Sequence, residues 1–328
     1  MDEIRPANVP VLLKGAVAKW PAVMAGLESP AAVAAHIAEF DSGRPVDTIV
    51  GPPAIDGRFF YNENLDGVNF LRQPQPVSSM MQRMLEERRA ANPHSLYIQS
   101  APIADYLPGF EAANTLRLAP QDARPRIWMG NRLTVQTHFD LNENIACVVA
   151  GRRRFTLFPP SQTPNLYPGP FELTLAGPPV SMVQLETPDF DRFPRFREAL
   201  AHAVVAELDP GDAIYIPYFW WHHVRALEDF NVLVNYWFND APRDLGSPYD
   251  ALLHALLSIR DLPRPQREAW RTMLDYYVFR DYGDPVEHLP PHARGPLGAH
   301  DPSMRQRIRR ILLGAIGAAA GIRPPPRP

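Results

Sequence analysis

Hydrophobic positions recur along this chain in two rhythms, and the change between them divides it. Ser29-Pro30 followed by AAVAAHIAEF predicts a helix with a capping serine and proline at its first position. The stretch 76–92 predicts an amphipathic helix with Met80, Met84 and Leu85 turned inward, RFFYN (58–62) a strand, and SLYIQS (95–100) a period-two strand. In that last strand Tyr97 and Gln99 share the face opposite Leu96 and Ile98. From about 126 to 240 short extended segments follow one another between Gly, Pro and Asp turns: RIWM, LTVQT, NIACVV, RRFTLF, VSMVQLE, AVVAEL, AIYIP and VLVNYWF. Only FPRFREAL (193–200) reads as a helix among them. Short strands at this spacing predict an antiparallel sandwich or barrel. Beyond 240 the period becomes 3.6, with Leu252, Leu253, Leu256 and Leu257 on one helix, Trp270, Met273, Leu274, Tyr277 and Val278 on a second, and a third near 303–321. The tail RPPPRP (323–328) reads as disordered.

Composition narrows the classes. At 45% hydrophobic and 21% charged residues the 328-residue chain is of ordinary globular type. Its longest apolar run, Ile311 to Ile322, is too short for the roughly 18 residues of a membrane span, and MDEIRPANVP shows no secretory pattern, so a cytoplasmic protein is expected. A net charge of −3 disfavours nucleic acid as a partner and suits a protein, peptide or small-molecule substrate. Cys147 is the lone cysteine and can build neither a disulfide nor a thiolate metal site. A bound metal must therefore be held by His, Asp or Glu. Of 33 basic residues only Lys14 and Lys19 are lysine, so cationic roles fall to arginine.

Two segments carry metal-binding chemistry. In THFDLNEN (137–144), His138 and Asp140 stand two apart at a strand end, where both side chains leave one side and reach one ion. In DPGDAIYIPYFWWHHVRALEDFNVLVNYWF (209–238), His222 and His223 follow four consecutive aromatics. One of the two can bind metal while the other faces away. Two histidines and one carboxylate form a facial triad with open coordination positions, a set that suits Fe(II) and oxygen chemistry.

With LYIQ (96–99), HFDLNEN (138–144), GRRRFTLFPPSQ (151–162), PDFDRFPRF (188–196), GDAIYIPYFWWHHV (211–224) and NYWF (235–238) in this order, the chain resembles the cupin-like and JmjC oxygenases that use 2-oxoglutarate. The resemblance is nearest to the branch of the asparaginyl hydroxylase that modifies the hypoxia-inducible transcription factor. It implies a mainly β fold with helical flanks: a double-stranded β-helix (cupin or jelly-roll) barrel core over 95–240, preceded by N-terminal α/β elements in 1–100 and followed by a C-terminal helical region, 241–322. It also implies Fe(II), with 2-oxoglutarate and O2 as cosubstrates, and hydroxylation of a C–H bond with release of succinate. His138, Asp140 and His222 match the family's metal ligands, leaving His223 structural. Tyr97, Asn144 and Asn235 match positions lining the cosubstrate pocket, and Trp237 and Gln99 fall on the substrate side. Arg153 takes the place of a lysine that binds the distal carboxylate; alternation turns it away from Arg152 and Arg154, and its planar fork suits a carboxylate. Val135 stands where relatives carry a threonine, and Thr137 is expected to substitute for it. Leu252, Leu256, Trp270, Leu274, Tyr277, Ile311 and Leu312 give the C-terminal helices more apolar surface than a short helical appendix buries, which predicts a homodimer through them, as the resemblance also implies, with a lid on the chain's own barrel as the alternative. Two other readings compete: a cupin-like Zn²⁺ enzyme of hydrolysis or isomerisation, which needs neither Arg153 nor Tyr97 in the pocket, and a non-catalytic binding scaffold, whose expected mark is a damaged triad, whereas His138, Asp140 and His222 are intact here.

Overall fold

Alternation along the strands decides which side of the sheet each residue serves. In a computed structural model, which describes residues 1, 3–175 and 177–322, the strands are β1 (Val11–Leu13), β2 (Thr48–Gly51), β3 (Leu71–Arg72), β4 (Ser95–Pro102), β5 (Arg124–Gly130), β6 (Thr134–His138), β7 (Glu143–Ala150), β8 (Arg153–Phe158), β9 (Val204–Leu208), β10 (Ala213–Ile216), β11 (Trp221–Ala226) and β12 (Asn231–Phe238). The disorder read for RPPPRP lies outside the described residues. The strands form an eight-stranded antiparallel sheet, β1-β10-β7-β12-β5-β4-β2-β3, and a four-stranded one, β6-β11-β8-β9. On β7, Ile145, Cys147 and Val149 pack outward into one core, while Ala146 and Val148 face inward. The inner set meets Leu233 of β12, Ile214 and Ile216 of β10, and Phe155, Leu157 and Val224 of the smaller sheet. A jelly-roll interior is thus closed between two sheets.

The outer core is capped by the N-terminal helices α1 (Pro21–Glu28), α2 (Pro30–Ala38) and α3 (Val77–Glu87). Ser29 caps α2 by accepting a hydrogen bond from the Ala32 N–H at 3.0 Å. Met80, Met81 and Met84 of α3 are fully buried, the methionine stripe serving as packing. Three shorter helices follow, α4 (Ile103–Tyr106), α5 (Phe110–Ala113) and α6 (Phe196–Ala201).

Two expected strands are absent. RFFYN makes only single bridges, Arg58 with Thr134 and Tyr61 with Val68; its apolar residues instead fill a cluster in which the Phe59 ring stacks 5.9 Å from Tyr97. VSMVQLE (180–186) has one bridge, Ser181 with Pro168. There a side chain takes over from a ladder: the Gln136 amide donates to the Ser181 and Val183 carbonyls, both at 2.8 Å.

The chain divides into two units, Met1–Asn239 and Asp240–Pro328. In the second lie α7 (Pro248–Ser258), α8 (Arg264–Leu274) and α9 (Pro302–Ala319), with the α9 start capped by Asp301. No described helix is long and apolar enough to cross a membrane.

Candidate metal centre and adjoining cavity

β6 and β11 run side by side in the smaller sheet, and their register sets His222 directly opposite His138. The two imidazole centroids lie 4.3 Å apart. Asp140 sits just past the end of β6, and its backbone is fixed from the other strand: its carbonyl accepts the Phe219 N–H at 3.1 Å. Phe219 is held at φ +66°, a left-handed conformation costly for a side chain of its size, while its ring stacks 4.0 Å from Phe139. The turn before β11 and the turn after β6 are thereby locked together. One donor atom from each of His138, Asp140 and His222 falls within 4.8 Å of the others, and this set of three buried side chains can hold a metal ion.

The second layer of contacts selects which nitrogens face that point. His138 Nδ1 donates to the Gln136 carbonyl at 2.8 Å and His222 Nδ1 to the Trp220 carbonyl at 3.0 Å. Both Nε2 atoms keep their lone pairs free for a ligand bond. Burial, reinforced by His222, pushes the His138 pKa down to about 4, so the neutral form needed for coordination prevails near pH 7. Trp237 Nε1 donates to Asp140 Oδ2 at 3.0 Å and fixes the carboxylate. Trp237, expected on the substrate side, thus has a second task that the sequence alone does not reveal.

A cavity with about 410 Å³ of empty space, open mouth included, adjoins the three ligands. Tyr97, Asn144, Arg153 and Asn235 all line it, together with Trp128 and Trp237. Arg153 is 2% exposed, and burial lowers its pKa to about 10, still well above neutrality. Its Nε has no hydrogen-bond partner among the described residues. A buried guanidinium without a counter-charge is expensive in a protein interior and fits a site built for an anion. Asn235 is held from both sides, its Oδ1 accepting from Trp128 Nε1 at 2.7 Å and its Nδ2 donating to Asn144 Oδ1 at 3.2 Å. Trp128 carries no mark of its role in the sequence beyond period two along β5, which sets it on the same face as Arg126.

Gln99 lines a neighbouring apolar annex with Phe59, Phe70, Leu175 and Val180, which shares Tyr97, Val135 and His138 with the main cavity. Thr137 requires a correction. Between His222–His138 and Val224–Val135 the pairing gains one residue on β6, a bulge. The bulge brings Val135 and His138 to one side despite their odd spacing, and both line the cavity. Thr137 turns to the other side, with its Oγ1 3.2 Å from His223 Nδ1. It does not stand in for the threonine of relatives. His223 Nε2 in turn donates to Glu186 Oε1 at 2.9 Å. Burial would raise the Glu186 carboxyl, but the hydrogen bond from His223, joined by one from its own backbone N–H and by the charge of Arg225, outweighs it and holds the pKa at about 2.

Residues 1–244 match the cupin-like domain. The chain belongs to this family. Among curated relatives of this cupin-like chain, human HSPB1-associated protein 1 is 34% identical over 151 residues, which is 44% of this chain and 30% of the relative. Lysine-specific demethylase JMJ31 of Arabidopsis thaliana is 37% identical over 111 residues, 34% of this chain and 20% of the relative. The human bifunctional peptidase and (3S)-lysyl hydroxylase JMJD7 is 30% identical over 199 residues, 52% of this chain and 61% of the relative. Each match spans less than two thirds of the relative's own length. Relatives of demethylase and lysyl-hydroxylase name do not single out the asparaginyl-hydroxylase branch within the family.

Proposed function

We propose that the chain is an Fe(II)- and 2-oxoglutarate-dependent oxygenase that hydroxylates a side chain of a protein or peptide. The observation that carries this reading is the meeting of two features in one cavity: three buried metal-type ligands and, on the wall beside them, a buried cation with no counter-charge. In the metalloenzyme alternative neither Arg153 nor Tyr97 has a reason to line that cavity, and in the scaffold alternative the three ligands have no reason to stay together. His138, Asp140 and His222 would hold the iron, leaving coordination positions open. When bound, the metal with 2-oxoglutarate and O2 supplies oxidative decarboxylation to succinate and oxidation of a C–H bond.

The protein's own part is to orient and to exclude water. The Arg153 guanidinium offers paired donors to the distal carboxylate of the cosubstrate. Asn235 and Asn144, tied to each other and to Trp128, present amides at fixed positions, and Trp237 keeps the Asp140 carboxylate from rotating. Phe155, Val224 and Leu233 add apolar wall to the cavity. Cell extract incubated with Fe(II), 2-oxoglutarate and either the intact protein or His138→Ala tests the reading by mass spectrometry. Peptides heavier by one oxygen atom in the intact reaction alone are expected; succinate release equal in both would overturn it. Because Thr137 faces His223, Thr137→Val is expected to leave 2-oxoglutarate affinity within about twofold, under 1 kcal/mol, as read by isothermal calorimetry.

The homodimer is proposed on the C-terminal unit's own surface. Leu257, Val278, Phe279 and Leu313 are between 63% and 78% exposed there, an apolar display that single-chain soluble proteins seldom leave uncovered. A second copy in twofold pairing covers it most simply. Light scattering is expected to give a dimer mass that falls to monomer in Leu257→Asp/Leu313→Asp; a monomer before substitution would refute the dimer.

A further inference from the structure

Arg126 differs from the surface-paired arginines Arg152 and Arg154. On β5 it opposes Asn235 of β12 in the sheet register, and it shares its face with Trp128, so its side chain joins the interior face that bears the cavity residues. Its guanidinium carbon lies 5.7 Å from the centroid of the Trp237 ring, the ring whose Nε1 holds Asp140. Only one indole separates it from a metal ligand.

Its orientation is built in from the opposite side. Nε donates to both the carbonyl and the hydroxyl of Ser100, the carbonyl at 2.9 Å. Ser100 stands at φ +56°, and the pairing of β4 with β5 shifts register between Ile98 and Ala101. A bulge and a left-handed non-glycine residue are thus maintained where they aim this one guanidinium. The side chain is half-buried, yet no carboxylate among the described residues lies within ion-pair distance of it; Asp105 attracts it only from farther away. By contrast, exposed Arg152 and Arg154 each have a glutamate partner. Arg126 therefore presents two terminal nitrogens, fixed in direction and without a counter-charge, beside the aromatic wall of the site.

We propose that Arg126 is a specificity residue that anchors a carboxylate of an acidic peptide substrate, so that an Asp or Glu lies near the residue brought to the metal. This assignment names the substrate class of the oxygenase reading and rests on it. A display library of random peptides, selected in parallel on the full chain, on Arg126→Gln and on Arg126→Glu, tests it without requiring turnover. The intact chain is expected to enrich Asp or Glu at one position about tenfold over the Arg126→Gln pool, the effect of losing a charge-assisted contact. Arg126→Glu is expected to reverse the preference to Lys or Arg, which loss of a merely structural staple would not do. On the intact protein alone, an enriched peptide with its acidic residue changed to the amide should bind about tenfold more weakly. Equal binding of acid and amide forms, or pools of the same acidic content with and without Arg126, would overturn the proposal. Acidic preference with no 2-oxoglutarate turnover would instead leave the anchor standing and remove the oxygenase reading.

Discussion

His222→Ala is expected to abolish both stoichiometric binding of Fe(II) or Mn(II) and 2-oxoglutarate turnover, while His223→Ala retains metal binding. The two residues are adjacent, both buried and chemically identical, yet β11 sends them to opposite sides of the sheet. His222 meets His138 ring to ring and approaches Asp140, its Nε2 3.6 Å from Oδ2. His223 stands between Thr137 and Glu186. Removing His222 leaves two ligands, too few for the facial set. Removing His223 leaves the ligands in place and deprives the Glu186 carboxylate of its partner, so a lower melting temperature is expected with metal stoichiometry unchanged. Isothermal calorimetry with Mn(II) and a thermal melt separate the two effects. Loss of metal binding in His223→Ala but not in His222→Ala would sink the assignment.

Arg153→Leu should be nearly as damaging to cosubstrate binding and should act in the opposite direction on the protein without it. The guanidinium is 2% exposed in a cavity that it lines together with Tyr97. Losing a desolvated, charge-assisted contact costs on the order of 1.5–3 kcal/mol, about tenfold to a hundredfold in affinity for 2-oxoglutarate. Replacing an uncompensated buried charge with a shorter apolar side chain, at a wall already open to the cavity, removes a desolvation penalty, so the variant should melt at a higher temperature than the parent when no cosubstrate is added. The melting shift on adding 2-oxoglutarate should largely vanish. Arg152→Leu is the control: its partner Glu228 is on the surface, and exposed pairs of this kind contribute little. Equal losses of affinity from both substitutions would show that the strand does not turn Arg153 inward.

What the sequence determines about this protein is what short-range chemistry can encode. Period-two alternation marks most strands of the barrel and the inward turn of Arg153, because neighbouring residues on an extended chain must point to opposite sides. His138 and Asp140 are readable as a pair for the same reason, and the order of motifs from LYIQ to NYWF identifies the family before any contact is known. Tertiary structure decided the rest, wherever a side chain's direction depends on pairing with distant residues. Which of His222 and His223 opposes His138 is a matter of register between β11 and β6, residues more than eighty positions apart. Thr137 shows the failure most directly: simple alternation puts it beside Val135, but one extra residue on β6 reverses the sides and hands it to His223. VSMVQLE alternates like a strand and is none, because the Gln136 side chain supplies hydrogen bonds that a ladder would otherwise provide. Arg126 reads as an ordinary basic residue until β5 is laid against β12 and the bulged β4, since only that alignment sets its charge between Ser100 and Trp237. Bulges and register arise from the competition of many long-range contacts, and no local pattern of residues records its outcome.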